Sequence, residues 1–119
     1  MKVKSYKELI AYQRSYELVK SVSCLTKMFP KEEAYGMTSQ MRRSAISIPS
    51  NIAEGYMRGS KEYIQFLKVA LGSCAELETQ LSLTQDLGLC NDLNFEKAYQ
   101  LIVETMKLLT THINKLGDR

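Results

Sequence analysis

Between Phe95 and Leu116, apolar residues recur at steps of four and three: Phe95, Tyr99, Ile102, Met106, Leu109, Ile113 and Leu116. On an α-helix that spacing puts every one of these side chains on a single stripe, whereas a strand would split them between its two faces. A stripe of this length cannot be buried by the helix that carries it, so the rest of the chain has to supply partners. The partners carry the same signal. Tyr63, Leu67, Ala70, Cys74, Leu77 and Leu81 repeat the alternation, and Met37, Met41, Ala45, Ile48, Ile52 and Tyr56 step by four, four, three, four and four. A broader arc comes first, with Leu9, Tyr12, Tyr16 and Val19 beside Leu18, Val22, Leu25 and Phe29.

The punctuation agrees. Ser5-Tyr6-Lys7-Glu8 fits a capping box, and Pro30 cannot continue a helical ladder, so the first helix is predicted at about 5–28. Pro49 interrupts the second run without changing its apolar register, which predicts one helix over 37–58 kinked at Pro49 rather than two helices and a loop. Gly59 offers a left-handed stop and Ser60 a following N-cap; the third helix runs to about Leu87, where Gly88 closes it. Asn91 or Asp92 caps the fourth helix and Gly117 ends it. With only 6 glycines and 2 prolines in 119 residues, an all-β fold is disfavoured. The expected architecture is a single all-α domain, 1–119: an up-down-up-down antiparallel four-helix bundle.

Catalysis lacks its ingredients. His112 is the one histidine, and its place beside the fourth helix's seam suits a side chain covering apolar surface. Glu32-Glu33 and the pair Glu76 and Glu78 read as solvated charge. Three cysteines without a C-x-x-C pair supply neither a disulfide framework nor a zinc site, and glycine-rich phosphate loops are missing. The expectation is no enzymatic activity and no cofactor or metal. No uncharged stretch approaches the ~20 apolar residues of a membrane span, and the N-terminus lacks a signal-peptide core, so a cytoplasmic protein is expected.

The second helix is unusual, because opposite its core stripe lies another apolar line, Ile46, Ala53 and Met57, with small Ser50 between. A surface helix should be polar there. Between the two lines runs a polar stripe: Arg43, Ser47, Asn51, Glu54 and Arg58. Three readings stand. The stripe is ordinary helix-surface pairing; or the helix is covered on both sides at a subunit interface through Ile46, Ser50, Ala53 and Met57; or the first helix covers both faces within one subunit. Glu78 falls inside the third helix's apolar arc, where either Arg42 or Arg43 pairs with it, or it reaches water.

Charge is uneven: residues 1–75 carry 12 basic and 6 acidic side chains, residues 76–119 carry 4 and 7, for a net +3. The basic half permits a polyanion partner, and copies around an axis would concentrate its field. The candidates for nucleic-acid contact are Arg14, Lys20, Arg42, Arg58, Lys61 and Lys68, with Arg43 reserved as a partner of Glu54 or Glu78.

The segment FPKEEAYGMTSQMRRSAISIPSNIAEGYMRGSKEYIQFLKVAL, from Phe29 to Leu71, followed by GSCAELETQL to Leu81, resembles the four-helix-bundle proteins encoded in intervening sequences of bacterial 23S ribosomal RNA genes. It is also similar to the accessory variability protein of diversity-generating retroelements. The resemblance implies a homo-oligomer, with a pentamer favoured, no established enzymatic activity, and RNA or DNA or a nucleic-acid-processing protein as partner. A protein–protein scaffold without nucleic-acid contact is the alternative.

Overall fold

The computed structural model describes residues 4–117. Four α-helices, α1 Ile10–Thr26, α2 Met37–Arg58, α3 Ser60–Asp86 and α4 Asp92–Gly117, account for most of them, and no strand occurs among the described residues. Single 3-10 turns, Tyr6–Glu8 and Lys31–Glu33, precede α1 and α2. The molecule measures 46 × 23 × 21 Å, one long helix in length and two helices in each other direction. Each helix packs on two others: α1 on α2 and α4, and α3 on α2 and α4, with no close backbone approach across either diagonal among the described residues. Arg14 meets Glu104 while Met28 meets Asn94, and Tyr63 meets His112 at one end of the α3–α4 pair.

The α2 and α3 stripes are buried as the spacing predicts. Met41, Ala45, Ile48 and Ile52 face Leu67, Ala70, Cys74, Leu77 and Leu81, all excluded from solvent. The helix α2 is continuous through Pro49. Proline has no N–H for the carbonyl four residues back, a loss of about 3 kcal/mol in a helix interior. Burial of Ile48 and Ile52 on either side, each worth roughly 1.5–3 kcal/mol, offsets it.

On α4 and α1 the buried stripe is turned slightly from the expected one. Ala98 and Thr105 are buried, while Tyr99 and Met106 lie at the edge; on α1, Ala11 and Ser15 are buried, Tyr12 is half-buried against the core's edge and Tyr16 is exposed. Ser15 and Thr105 satisfy their hydroxyls by donating to the carbonyls of Tyr12 and Leu101 at 2.9 and 2.7 Å. The tyrosines are too large for that position and form a rim.

Two helix starts differ from expectation. The Ser5 hydroxyl accepts from the Lys7 N–H, and the Glu8 carboxylate accepts from the Lys4 N–H. These bonds cap the 3-10 turn, not α1, which begins only after an extended Leu9. Ser60 is the first residue of α3 rather than its cap; Gly59, at φ +103°, makes the whole α2–α3 corner, and its carbonyl accepts from Tyr63 at 3.0 Å. Only glycine holds that backbone without strain. The other ends follow the sequence. Gly88 is left-handed at φ +70°, Leu89 donates to the Thr84 carbonyl and Gly88 to that of Gln85, a Schellman closure. The Asn91 side chain caps α4 by accepting from Asn94 at 2.8 Å.

The tightest contact joins α2 and α3. A Cβ on Gly55 would lie 2.5 Å from the Phe66 Cβ, whereas one on Gly72 would meet open space. Gly55→Ala is expected to destabilise the protein by about 1–3 kcal/mol through overpacking. Gly72→Ala, at an exposed position within α3, is expected to stabilise it by about 0.5–1 kcal/mol. Thermal or denaturant unfolding of the two variants distinguishes these signs, and equal shifts would refute the close approach.

Candidate nucleic-acid and subunit interface

The second apolar line of α2 faces away from the core. Ile46 is 52% exposed and Met57 72%, Ser50 is exposed, and Ala53 is half-buried. The first helix does not cover this line. Instead, a groove of about 400 Å³ between α1 and α2, lined by Tyr12, Tyr16, Val19, Lys20, Pro49, Ser50 and Ala53, joins it to the tyrosine rim. Tyr16, 54% exposed, therefore belongs to the same surface as Ser50 and Ala53, although its spacing alone puts it in the core arc. The sequence signal for this placement is Ala11 and Ser15, small residues one position earlier that take the buried positions of α1.

Inward from Tyr16, aromatic rings continue through Tyr12 (6.0 Å between centroids), Tyr6 (5.1 Å), Tyr56 (6.2 Å), Tyr63 (6.0 Å) and His112 (5.3 Å). His112 Nε2 lies 3.0 Å from the Tyr63 hydroxyl, so the histidine bridges α4 to α3. Burial, and then the neighbouring Tyr56, push the Tyr63 phenol up to about 12.

The polar stripe divides. Ser47 bonds Ser73 on α3 at 2.9 Å, and the Asn51 amide donates to the Ser47 carbonyl at 2.7 Å and hydroxyl at 2.9 Å. Glu54 pairs with Arg58 at 3.0 Å. Arg43 reaches neither Glu54 nor Glu78 among the described residues. Glu54 is eleven residues further along α2, about 16 Å by helical rise, beyond one side chain's reach. Glu78 is half-buried and makes no ion pair there.

The basic candidates fall into two groups. Arg14 is held by Glu104 at 3.0 Å, Lys20 by Glu17 at 3.5 Å, and Arg58 by both Glu54 and Glu62 at 3.0 Å with its guanidinium 5.0 Å from the Phe66 ring. Arg58 thus braces the Gly59 corner, and its pKa is raised by the hydrogen bonds of Glu62 and Glu54. Arg42 donates to the Thr26 hydroxyl at 2.9 Å and makes no ion pair among the described residues. Lys61 and Lys68, seven residues apart and so on one face of α3, are exposed and without ion pairs among the described residues.

Residues 7–111 match the family described as 23S rRNA-intervening sequence protein. The chain belongs to that family. A crystal structure of a protein of unknown function from the S23 ribosomal protein family of Bacteroides thetaiotaomicron superposes with a TM-score of 0.80 at 26% identity, covering 88% of this chain and 96% of that one. No protein of curated function matches the sequence. Within this intervening-sequence family chain, no cluster of three or more metal-ligating side chains occurs among the described residues, and no described helix is long and apolar enough to cross a membrane.

Burial, with a smaller push from Glu78, also raises the Cys74 thiol to about 12 from an ordinary 9.0. Cys74 and Tyr63 are both acids held protonated more strongly folded than unfolded. Their contribution to stability is complete below about pH 9 and falls as pH rises toward 12. Melting temperature is expected to drop across that window. At about pH 8 a thiol reagent should label exposed Cys24 and spare Cys74 until the protein unfolds. Equal labelling rates would contradict the packing.

Proposed function

We propose that this chain is a non-enzymatic, cytoplasmic homo-oligomer, with a pentamer favoured, that binds RNA or a nucleoprotein partner through a composite basic surface. The observation that carries the assembly is the exposed apolar line Ile46, Ala53 and Met57, continuous through the α1–α2 groove with Tyr16. A polar-coated monomer has no use for it. The pentameric number follows the family resemblance. Within each subunit we read the helices as up-down-up-down, supported by the opposed order of partners along α1 and α4, and α2 as kinked at Pro49, which lies inside the helix and lacks the N–H its ladder needs.

The nucleic-acid assignment rests on Arg42, Lys61 and Lys68, cations of the basic half that no carboxylate neutralises in the described residues. Repetition of that set around an axis would build the field that a net charge of +3 per chain does not. The second reading is a protein–protein scaffold. It is favoured by Arg14, Lys20 and Arg58, whose charges are already committed to glutamates.

Lys61→Gln with Lys68→Gln should leave oligomer mass and melting unchanged while weakening RNA binding. The slope of log K against log salt should fall by about 0.7–0.9 for each phosphate that is no longer neutralised. Unchanged affinity and slope refute this face as the RNA surface; no RNA binding by the unaltered protein favours the scaffold. Ile46→Lys with Met57→Lys should yield smaller particles by light scattering with helicity retained, and an undiminished mass would refute this interface.

A further inference from the structure

One cleft on the bundle is bordered by polar and charged residues. It lies between α2 and α3, has a volume of about 460 Å³, and is bordered by Gln40, Arg43, Ser44, Ser47, Ser73 and Glu76. That volume falls within the roughly 300–1,000 Å³ of small-ligand sites, although such sites are mostly apolar. The floor is fixed. Ser47 and Ser73 bond one another at 2.9 Å, the Asn51 amide holds the Ser47 hydroxyl from behind at 2.9 Å, and Ser44 donates to the Gln40 carbonyl at 3.0 Å.

The charges at its rim are not engaged. Arg43 and Glu76 border the same cleft, yet neither makes a hydrogen bond or ion pair among the described residues. Arg14 and Arg58, by contrast, each hold a carboxylate at 3.0 Å. Two opposite charges that border one cleft without meeting leave room for a ligand carrying an anion at one end and donors at the other. A guanidinium takes a phosphate through two parallel N–H groups. A carboxylate only accepts, so it selects hydroxyl or amine donors. Small hydroxyls between them leave the space open and offer further hydrogen bonds.

The geometry points to this cleft as the seat of a ribose phosphate: phosphate on Arg43, ribose hydroxyl donating to Glu76. The inference deepens the RNA-binding reading and rests on it for the source of that ribose phosphate, an RNA chain rather than a free nucleotide. Its consequence is a preference for RNA over DNA, since the 2′-hydroxyl is the donor that DNA lacks. Glu76 then becomes the residue that sets that preference, and Arg43 the residue that supplies affinity for both.

Two arms test it. In the first, adenosine 5′-monophosphate and its 2′-deoxy counterpart are titrated into isotopically labelled full-length protein, and the Arg43 side-chain N–H resonance is followed. The ribose compound should shift it at several-fold lower concentration than the deoxy compound; no shift, or equal shifts, overturns the cleft assignment. In the second, an RNA oligonucleotide and the DNA of the same sequence are titrated into the unaltered protein and into Arg43→Gln, Glu76→Ala and Glu96→Ala. Arg43→Gln should weaken both and lower the salt slope by about 0.7–0.9. Glu76→Ala should bring the RNA-to-DNA affinity ratio several-fold closer to one, while Glu96→Ala, an equal change of charge on the exposed side of α4, leaves it unchanged. A ratio unmoved by Glu76→Ala overturns the inference even when RNA binds well. Failure of RNA binding with ribose selectivity kept in the first arm overturns the RNA-binding reading and assigns the cleft to free nucleotide.

Discussion

The bundle is organised by how closely α2 and α3 approach each other. Gly55 lies under Phe66 with no room for a methyl group, and Ser44, Ser47 and Ser73 continue the small-residue contact toward the other end. Dispersion between close backbones and the burial of Ile48, Ile52, Leu67 and Leu77 together keep α2 helical through Pro49. Gly59 allows the two helices to meet without a loop, and Arg58 ties the corner to Glu54 and Glu62. With α2 pinned this way, its core stripe is committed to α3 and α1. The line Ile46, Ala53 and Met57 must then face outward.

That outward face is the surface on which the proposed function rests. The tyrosines of α1 are excluded from the tight centre of the bundle by their size and collect beside α2, so the apolar line and the aromatic rim merge across one groove. The same constraint makes the polar cleft. Serines that permit close packing leave their hydroxyls along the α2–α3 seam, and Arg43 and Glu76 stand over them with no partner of their own among the described residues. A brief run of small residues on α2 therefore accounts for both the exposed apolar line and the polar cleft.

The sequence is informative where one physical signal dominates. The bounds of α2, 37–58, follow from an apolar register unbroken across Pro49, and the Schellman closure at Gly88 follows from one glycine beside leucines. It is less so where two fits compete. Tyr99 and Met106 continue the four-three stripe, yet Ala98 and Thr105, one position earlier, are the ones buried with Phe95, Ile102 and Leu109, because the buried arc is turned slightly from the one the spacing draws. The Ser5–Glu8 box is real but caps a 3-10 turn, a difference of backbone geometry that residue spacing does not encode. At the candidate site, cations are visible as residue types, but which carboxylate neutralises each depends on helix neighbours: Arg14 pairs across ninety residues with Glu104. Gly55 carries no mark in the sequence, since one glycine in a helix looks the same whether it faces water or Phe66.

The central claim is that α2 is covered on both sides, by its own core on one and by another copy of this chain on the other. Its most direct test is the solution mass of the unaltered protein, measured by sedimentation equilibrium over a wide range of concentration. The account predicts one species at two or more times 13.6 kDa, in whole numbers of chains, that persists on dilution and in high salt, as apolar burial requires. A mass of 13.6 kDa at every concentration would contradict it.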